Sequence, residues 1–184
     1  MLVAECLAEA RVAGVSLPPE SIEAGCRALA NGGQFKRASD LFQTLPWASS
    51  SSSPDLLPHP STVRALFAAA VQAPLGPGEP DATARADAAR AVLDALREAV
   101  SAAGTGADSE SPLDLSPAFN RVVRAYARCA GGARLDVALA LLSEMVADDA
   151  VAVDGSTFGA LAASCIEAGR AELAEEVLDL RDYF

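Results

Sequence analysis

The sequence is poor in the residues that build β-sheets. Aromatic residues make up 5% of the 184-residue chain, and alternating runs of Val, Ile and Thr are scarce, which argues against a sheet core. Apolar residues still account for half of the composition, and alanine dominates among them, as suits closely packed helices. The chain is long enough to bury a substantial core. We therefore expect a folded, all-α protein.

Long apolar runs and targeting signals are also missing. No apolar run reaches the length that a bilayer-spanning helix needs, so we expect no membrane partner. Residues 1–14 lack a basic leader and a small-residue cleavage site, and they contain two carboxylates. We therefore expect neither a signal peptide nor a transit peptide in this stretch.

Residues that could carry catalysis or hold a metal are few. The single histidine, His59, lies between two prolines, with no nucleophile in a defined setting. Glycine-rich stretches lack the Lys-Ser/Thr of a phosphate-binding loop. The sequence predicts no enzyme, no metal site, no cofactor and no small-molecule substrate. The four cysteines form neither a CxxC pair nor a Cys/His cluster, and we interpret them as reduced, buried thiols: Cys6, Cys26, Cys129 and Cys165.

The sequence does contain a repeated pair of helical patterns. Each copy has apolar residues at three- and four-residue steps, a turn that usually contains glycine, and a second stripe that begins at a small alanine. Sixteen positions separate Ile22 from Ala38, and sixteen separate Phe158 from Ala174. A lone helix pair cannot bury both of its faces, so the copies should stack. The copies are residues 19–45, 61–103 (degenerate), 116–154 and 155–184.

The remaining stretches are connections and a partial unit. Residues 46–60 form a Ser/Pro-rich loop, and residues 104–115 form a Gly/Ser/acidic linker. In the first of these, Trp47 either packs back on the helices, which we favour, or contacts a partner. Residues 1–18 resemble the second helix of an earlier unit. Either Met1 begins a truncated cap, or, as we favour, the sequence is part of a longer product.

These residues resemble a known family. FNRVVRAYA…LDVALALLSEM…VD and STFGALAASCIEAGRAELAEEVLDL are similar to pentatricopeptide repeats, and SIEAGCRALANGGQFKRASDLFQTL is a less typical copy. The resemblance is specific in residues 116–184 and weak in residues 61–103. It implies a right-handed α-solenoid of about four helix-turn-helix units, with a partial N-terminal one. Such proteins usually work in a mitochondrion or chloroplast, where they bind single-stranded RNA.

The resemblance also implies a base-reading pair. These repeats read one base through the residue after the aromatic of the first helix and the last residue of the unit. Here the two are Asn120 and Asp154, which resemble the family's combination for a pyrimidine, preferably uridine. The amide could pair with a Watson–Crick edge while the carboxylate orients it. Pro117 and Ser156 would flank the base, and Arg128 would lie near a phosphate.

The other units depart from this pattern. The corresponding residues are Glu23 with His59 and Arg64 with Leu115, and neither pair resembles a reading pair. Gly159, in the last unit, has no partner in the sequence. At most one base would therefore be specified in this segment.

Charge constrains the function further. The net charge of −11 speaks against nucleic acid. However, the four first-helix segments together carry +2, so the rest of the chain carries −13. Arg121, Arg124 and Arg128 form one stripe of a single helix, with no acid beside them in that segment. The stripe is either part of an RNA-binding face or an ordinary solvated face.

Three functions follow from these observations. The first is a non-catalytic helical-repeat protein that binds single-stranded RNA in organelle gene expression, whether in RNA processing, stability or translation. The alternative is a scaffold for protein partners, or a subunit of an organellar ribosome or another ribonucleoprotein assembly. A third, less favoured, is the RNA-binding arm of a nuclease that resembles protein-only RNase P.

Overall fold

The computed structural model describes residues 17–48, 57–72, 81–103, 113–148 and 150–183. Across these residues the chain forms eight α-helices and no strand, so the expected all-α class is confirmed. None of the described helices is both long enough and apolar enough to cross a membrane. The helices are α1 (Pro19–Asn31), α2 (Phe35–Phe42), α3 (Pro60–Val71), α4 (Ala82–Ala103), α5 (Ser116–Ala127), α6 (Leu135–Ala147), α7 (Gly155–Glu167) and α8 (Ala171–Arg181).

The odd-numbered helices pack against one another in chain order. Helix α1 contacts α3, α3 contacts α5, and α5 contacts α7. Each odd-numbered helix also packs against the even-numbered helix that follows it in the chain. The described residues therefore form four consecutive helix hairpins. The partial unit expected in residues 1–18 lies almost entirely outside the described residues, as does most of the Ser/Pro-rich loop.

Each even-numbered helix buries a small residue, which allows close packing against its neighbours. Ala38, Ala89, Ala138 and Ala174 are all buried, one on each even-numbered helix. Bulkier side chains fill the remaining space, since interior packing leaves few voids. The largest of these that are fully buried are Phe35, Phe42, Phe67 and Phe158.

Glycines in the left-handed conformation form the turn in the first and last of these hairpins. Gly33 has φ 69° and Gly169 has φ 72°. The residue after each glycine donates its N–H to the carbonyl five positions earlier, at 2.9 Å from Gln34 and 2.8 Å from Arg170. This bond is the mark of a Schellman ending. Because other residues pay a steric penalty at this φ, both turns require glycine.

The cysteines that the structure describes behave as buried thiols. Cys26, Cys129 and Cys165 are buried and carry no disulfide. Burial, together with the charge of Glu23, raises the pKa of Cys26 to about 12, so its reactive thiolate form is suppressed. Cys6 lies outside the described residues.

Trp47 packs back on the helices, as we favoured. Its side chain is buried, and its ring centroid lies 5.0 Å from that of Phe42. The turn that carries it, Pro46–Ala48, also contacts α4. The indole therefore contributes apolar area to the core rather than a surface for a partner.

A matched pair of substitutions on α6 tests the close approach of the hairpin helices. We expect Ala138→Leu to lower the free energy of unfolding by about 1–3 kcal/mol, because the larger side chain overpacks a buried position. Ala140→Leu lies two residues along the same helix at an exposed position, and we expect a change within about 0.5 kcal/mol. Urea unfolding measures both, and equal effects would contradict this packing.

Candidate nucleic-acid interface

Asn120 lies in the interior of the helix layer, with 2% of its surface exposed. Its amide nitrogen donates to the carbonyls of Ser116 at 2.8 Å and Ala152 at 2.7 Å. Its amide oxygen accepts from the backbone N–H of Asp154 at 2.9 Å and from the hydroxyl of Thr157 at 2.7 Å. Both donors and both acceptor sites of the amide are therefore occupied. This differs from the expected amide open to a base edge.

Glu23 makes the same connection from the first hairpin to the second. Its carboxylate accepts from the backbone N–H of His59 at 3.1 and 3.2 Å and from the hydroxyl of Thr62 at 2.6 Å. Thr62 and Thr157 are both buried at the starts of their helices. We term these two sets of bonds, centred on Glu23 and Asn120, the inter-hairpin latches. The side chains of Glu23 and Asn120 therefore both have a structural role.

The threonines of the latches were missed in the sequence, although a signal for them exists. A Ser-Thr pair begins both α3 and α7, as Ser61-Thr62 and Ser156-Thr157. The serines are exposed, whereas the threonines are buried. The repetition of this pair at equivalent positions indicates a shared structural role for its second residue.

Between α3 and α5, arginines take the place of the latches that join α1 to α3 and α5 to α7. Arg64 stands at the position that Glu23 and Asn120 occupy in their own helices. Its backbone carbonyl accepts from Arg121 at 3.0 Å, and the carbonyl of Val71 accepts from Arg128 at 2.8 Å. The two carbonyls and the two arginines are each seven residues apart. Arg121 and Arg128 therefore hold α5 in register on α3.

Arg124 points to the opposite side, towards the start of α7. Its Nη1 donates to the hydroxyl of Ser156 at 2.6 Å, and its Nη2 lies 3.8 Å from the carboxylate of Asp154, with 24% of the side chain exposed. The stripe lacks an acid only within its own helix, since Asp154 reaches Arg124 from the N-terminus of α7. Pro117 is half-buried in the first turn of α5.

Asp154 caps the N-terminus of α7. Its carboxylate accepts from the N–H of Thr157 at 2.8 Å and from the hydroxyl of Ser156 at 2.6 Å. Burial alone would raise its pKa, but the hydrogen bonds from Ser156 and Thr157 and the charge of Arg124 outweigh burial. The pKa of Asp154 therefore lies below its ordinary value. The carboxylate is ionised at neutral pH, and it is the backbone of Asp154 that bonds the Asn120 amide.

Three arginines on α3, on α5 and directly after α5 have no carboxylate within ion-pairing distance among the described residues: Arg64, Arg121 and Arg128. We term these the arginine row. Arg64 and Arg128 are exposed, and Arg121 is half-buried. Burial and the nearby charges of Arg124 and Arg64 lower the pKa of Arg121, and the charge of Asp154 opposes them only in part. Within the row, Arg64 and Arg121 therefore repel one another, and a bound anion would relieve that repulsion.

Most basic residues on the even-numbered helices or directly before them form ion pairs, some within one helix and others with a neighbouring helix or turn. The pairs are Lys36–Asp40, Arg90–Asp94, Arg90–Glu144, Arg97–Glu144, Arg97–Asp148, Arg134–Asp87 and Arg170–Asp136. Arg85 has no such pair in the described part of the chain, but it is buried and donates to the Gln72 carbonyl at the end of α3. Arg37 on α2 also lacks such a pair in the described residues; it is exposed and donates to the side-chain amide oxygen of Gln34 at 3.1 Å. The other three such arginines, Arg64, Arg121 and Arg128, belong to neighbouring helices, on α3 and on or directly after α5.

Comparison with known proteins adds no identity. No protein-family model matches the chain, and no curated protein is similar to it. Within the described ranges, no group of three or more His, Cys, Asp or Glu side chains could hold a metal ion. The class is therefore defined by the fold: an all-α protein of consecutive helix hairpins.

Replacing Asn120 tests its structural role. We expect Asn120→Ala to lower the free energy of unfolding by about 2–3 kcal/mol, because it leaves buried backbone and hydroxyl groups without partners. Asn31→Ala, at an exposed position at the end of α1, is the matched control and should change it by less than about 0.5 kcal/mol. If the two variants unfold at the same urea concentration, Asn120 does not hold the hairpins together.

The cap at Asp154 should give stability that depends on pH. Its folded pKa is lowered, so its contribution is present above the unfolded pKa of about 3.9 and is lost as pH falls through the folded value. At pH 7 we expect Asp154→Ala to cost about 1 kcal/mol, a moderate value because the carboxylate is partly exposed. Urea unfolding of both proteins at falling pH should show the difference shrinking. A constant difference would rule out the ionised cap.

Proposed function

We propose that this protein is a non-catalytic helical-repeat protein that binds single-stranded RNA through phosphate contacts on its odd-numbered helices. The observation that carries the proposal is the arginine row, which places unpaired positive charge on α3 and α5 in a protein of net charge −11. Guanidinium groups suit phosphate because their planar fork of N–H donors matches its oxygens.

We propose the pentatricopeptide-like α-solenoid as the architecture. The two inter-hairpin latches support it, because Glu23 and Asn120 stand at equivalent positions and each bonds the start of the next odd-numbered helix. The Schellman turns at Gly33 and Gly169 support it as well. By the same resemblance, we propose a role in RNA processing, stability or translation in a mitochondrion or chloroplast.

Phosphate contact suits the row better than base reading does. Arg121 and Arg128 each donate one hydrogen bond to a backbone carbonyl of α3. Because a guanidinium has five N–H donors, the others can bind phosphate. Seven residues of helix separate them by about 10 Å, so an extended strand could run along the row. Since the Asn120 amide is fully bonded, the proposal does not use it as a base reader. Contacts to phosphate carry little sequence information.

Titration with labelled single-stranded RNA at several salt concentrations tests the proposal. Three phosphate contacts predict a slope of log affinity against log salt of about −2, at roughly 0.7 for each contact. We expect Arg121→Gln to make that slope shallower by about 0.7 and to weaken binding. Arg170→Gln removes an ion-paired arginine outside the row and should leave the slope unchanged.

Two outcomes would contradict this function. One is no binding at about 50 mM salt, where electrostatic contacts are strongest. The other is an equal effect of Arg121→Gln and Arg170→Gln, since the row would then have no special role. A strong preference for uridine would contradict the phosphate-only account and restore base reading.

A scaffold for protein partners is the second candidate, favoured by two exposed apolar side chains. Ile166 is 63% exposed and Tyr183 is 86% exposed. Ile166 stands at the position that Ala30 and Ala127 hold in α1 and α5, where both are buried. A protein partner that covered Ile166 would bury it as its counterparts are buried, as in a ribosome or another ribonucleoprotein assembly. The nuclease-arm hypothesis has no such observation in its favour.

A further inference from the structure

A fourth guanidinium lies beside the arginine row without belonging to it. Arg124 is three residues from Arg121 on α5, and its charge is among the causes of the lowered pKa of Arg121. Its own donors are turned away from the row, to the Asn120 carbonyl at 3.3 Å and the Ser156 hydroxyl at 2.6 Å. The carboxylate of Asp154 stands 3.8 Å from its Nη2.

The groups around Arg124 form a chain anchored on Asp154. The Ser156 hydroxyl accepts from Arg124 and donates to the Asp154 carboxylate at 2.6 Å. That carboxylate is fixed in turn as the cap of α7 by the N–H of Thr157. An RNA phosphate that approached Arg124 would therefore meet a carboxylate of the same sign as itself, already held at the guanidinium.

We infer that Asp154 limits the affinity and salt dependence of RNA binding by acting as an internal anion that keeps Arg124 out of the row. The site then offers three guanidinium groups to RNA rather than four. This inference rests on the proposed function and adds a residue that tunes it. It also reverses the role that the sequence suggested for Asp154, because removal of the carboxylate strengthens binding rather than weakening it.

Asp154→Asn is the decisive variant. Asn is as good a helix cap as Asp, so α7 keeps its start while the negative charge is lost. With Arg124 released to a fourth phosphate, RNA affinity should rise roughly tenfold, as for one added charged hydrogen bond. The salt slope should steepen by about 0.7. Asp154→Ser, which also caps helices, should show the same direction.

Two control variants distinguish the release of Arg124 from a general effect of the change in net charge. Asp136→Asn removes one exposed carboxylate from α6, where Asp136 is 88% exposed and pairs with Arg170, and RNA affinity should stay the same. The double variant Asp154→Asn with Arg124→Gln should lose most of the gain, because the released guanidinium is absent and only the direct effect of the Asp154 charge on Arg121 is left.

The inference is overturned if Asp154→Asn leaves the slope unchanged or weakens binding, if Asp136→Asn gives the same gain, or if the full gain survives in the double variant. Its failure differs from failure of the proposed function. Binding by the unaltered protein with no response to Asp154→Asn removes only the role of Asp154. Absence of binding in every variant at about 50 mM salt removes both.

Discussion

The buried amide of Asn120 is the interaction on which the step from the third hairpin to the fourth depends. Its bonds tie α5 to the chain before α7 and to the first turn of α7. An amide in the interior is costly unless all of its hydrogen bonds are made, so a shift of α7 along α5 would break several at once. The amide therefore fixes the register between hairpins, which apolar side chains alone would leave looser.

The register between α3 and α5 is fixed in another way, and this difference matters for function. Arg121 and Arg128 donate from α5 to backbone carbonyls of α3, so the bonds come from charged groups that form no ion pair with a carboxylate in the described residues. The Asn120 amide is buried and cannot contact a ligand, whereas these guanidinium groups remain at least partly exposed. The same residues thus hold two helices together and leave positive charge for an anion.

Local spacing predicted the all-α class, the hairpins and the burial of the three cysteines that the structure describes, because these depend on residues within a few turns of each other. The environment of Asn120 depends on residues 32 to 37 positions away, which a pattern on one helix does not reveal. A signal was nevertheless present in α5. Asn120, Val123 and Ala127 share one helix face, and the two apolar neighbours are buried. This shared face predicts that the Asn120 side chain is buried, whereas its position after Phe119 suggested a base reader.

The net charge of the sequence is a poor predictor of the local charge at a binding surface, because it does not tell which charges form ion pairs in the fold. Arg90 meets Glu144 from 54 residues away, and Arg124 meets Asp154 from another helix, whereas Arg64 meets no carboxylate among the described residues. Charges that are paired contribute little field beyond their pair. At physiological salt, exposed charges more than about 8 Å apart are largely screened, and neighbouring helix axes already lie about 8–10 Å apart. An RNA strand at α3 and α5 would therefore sense the arginine row more than the acidic total, so a protein of net charge −11 can still present a local site for phosphate.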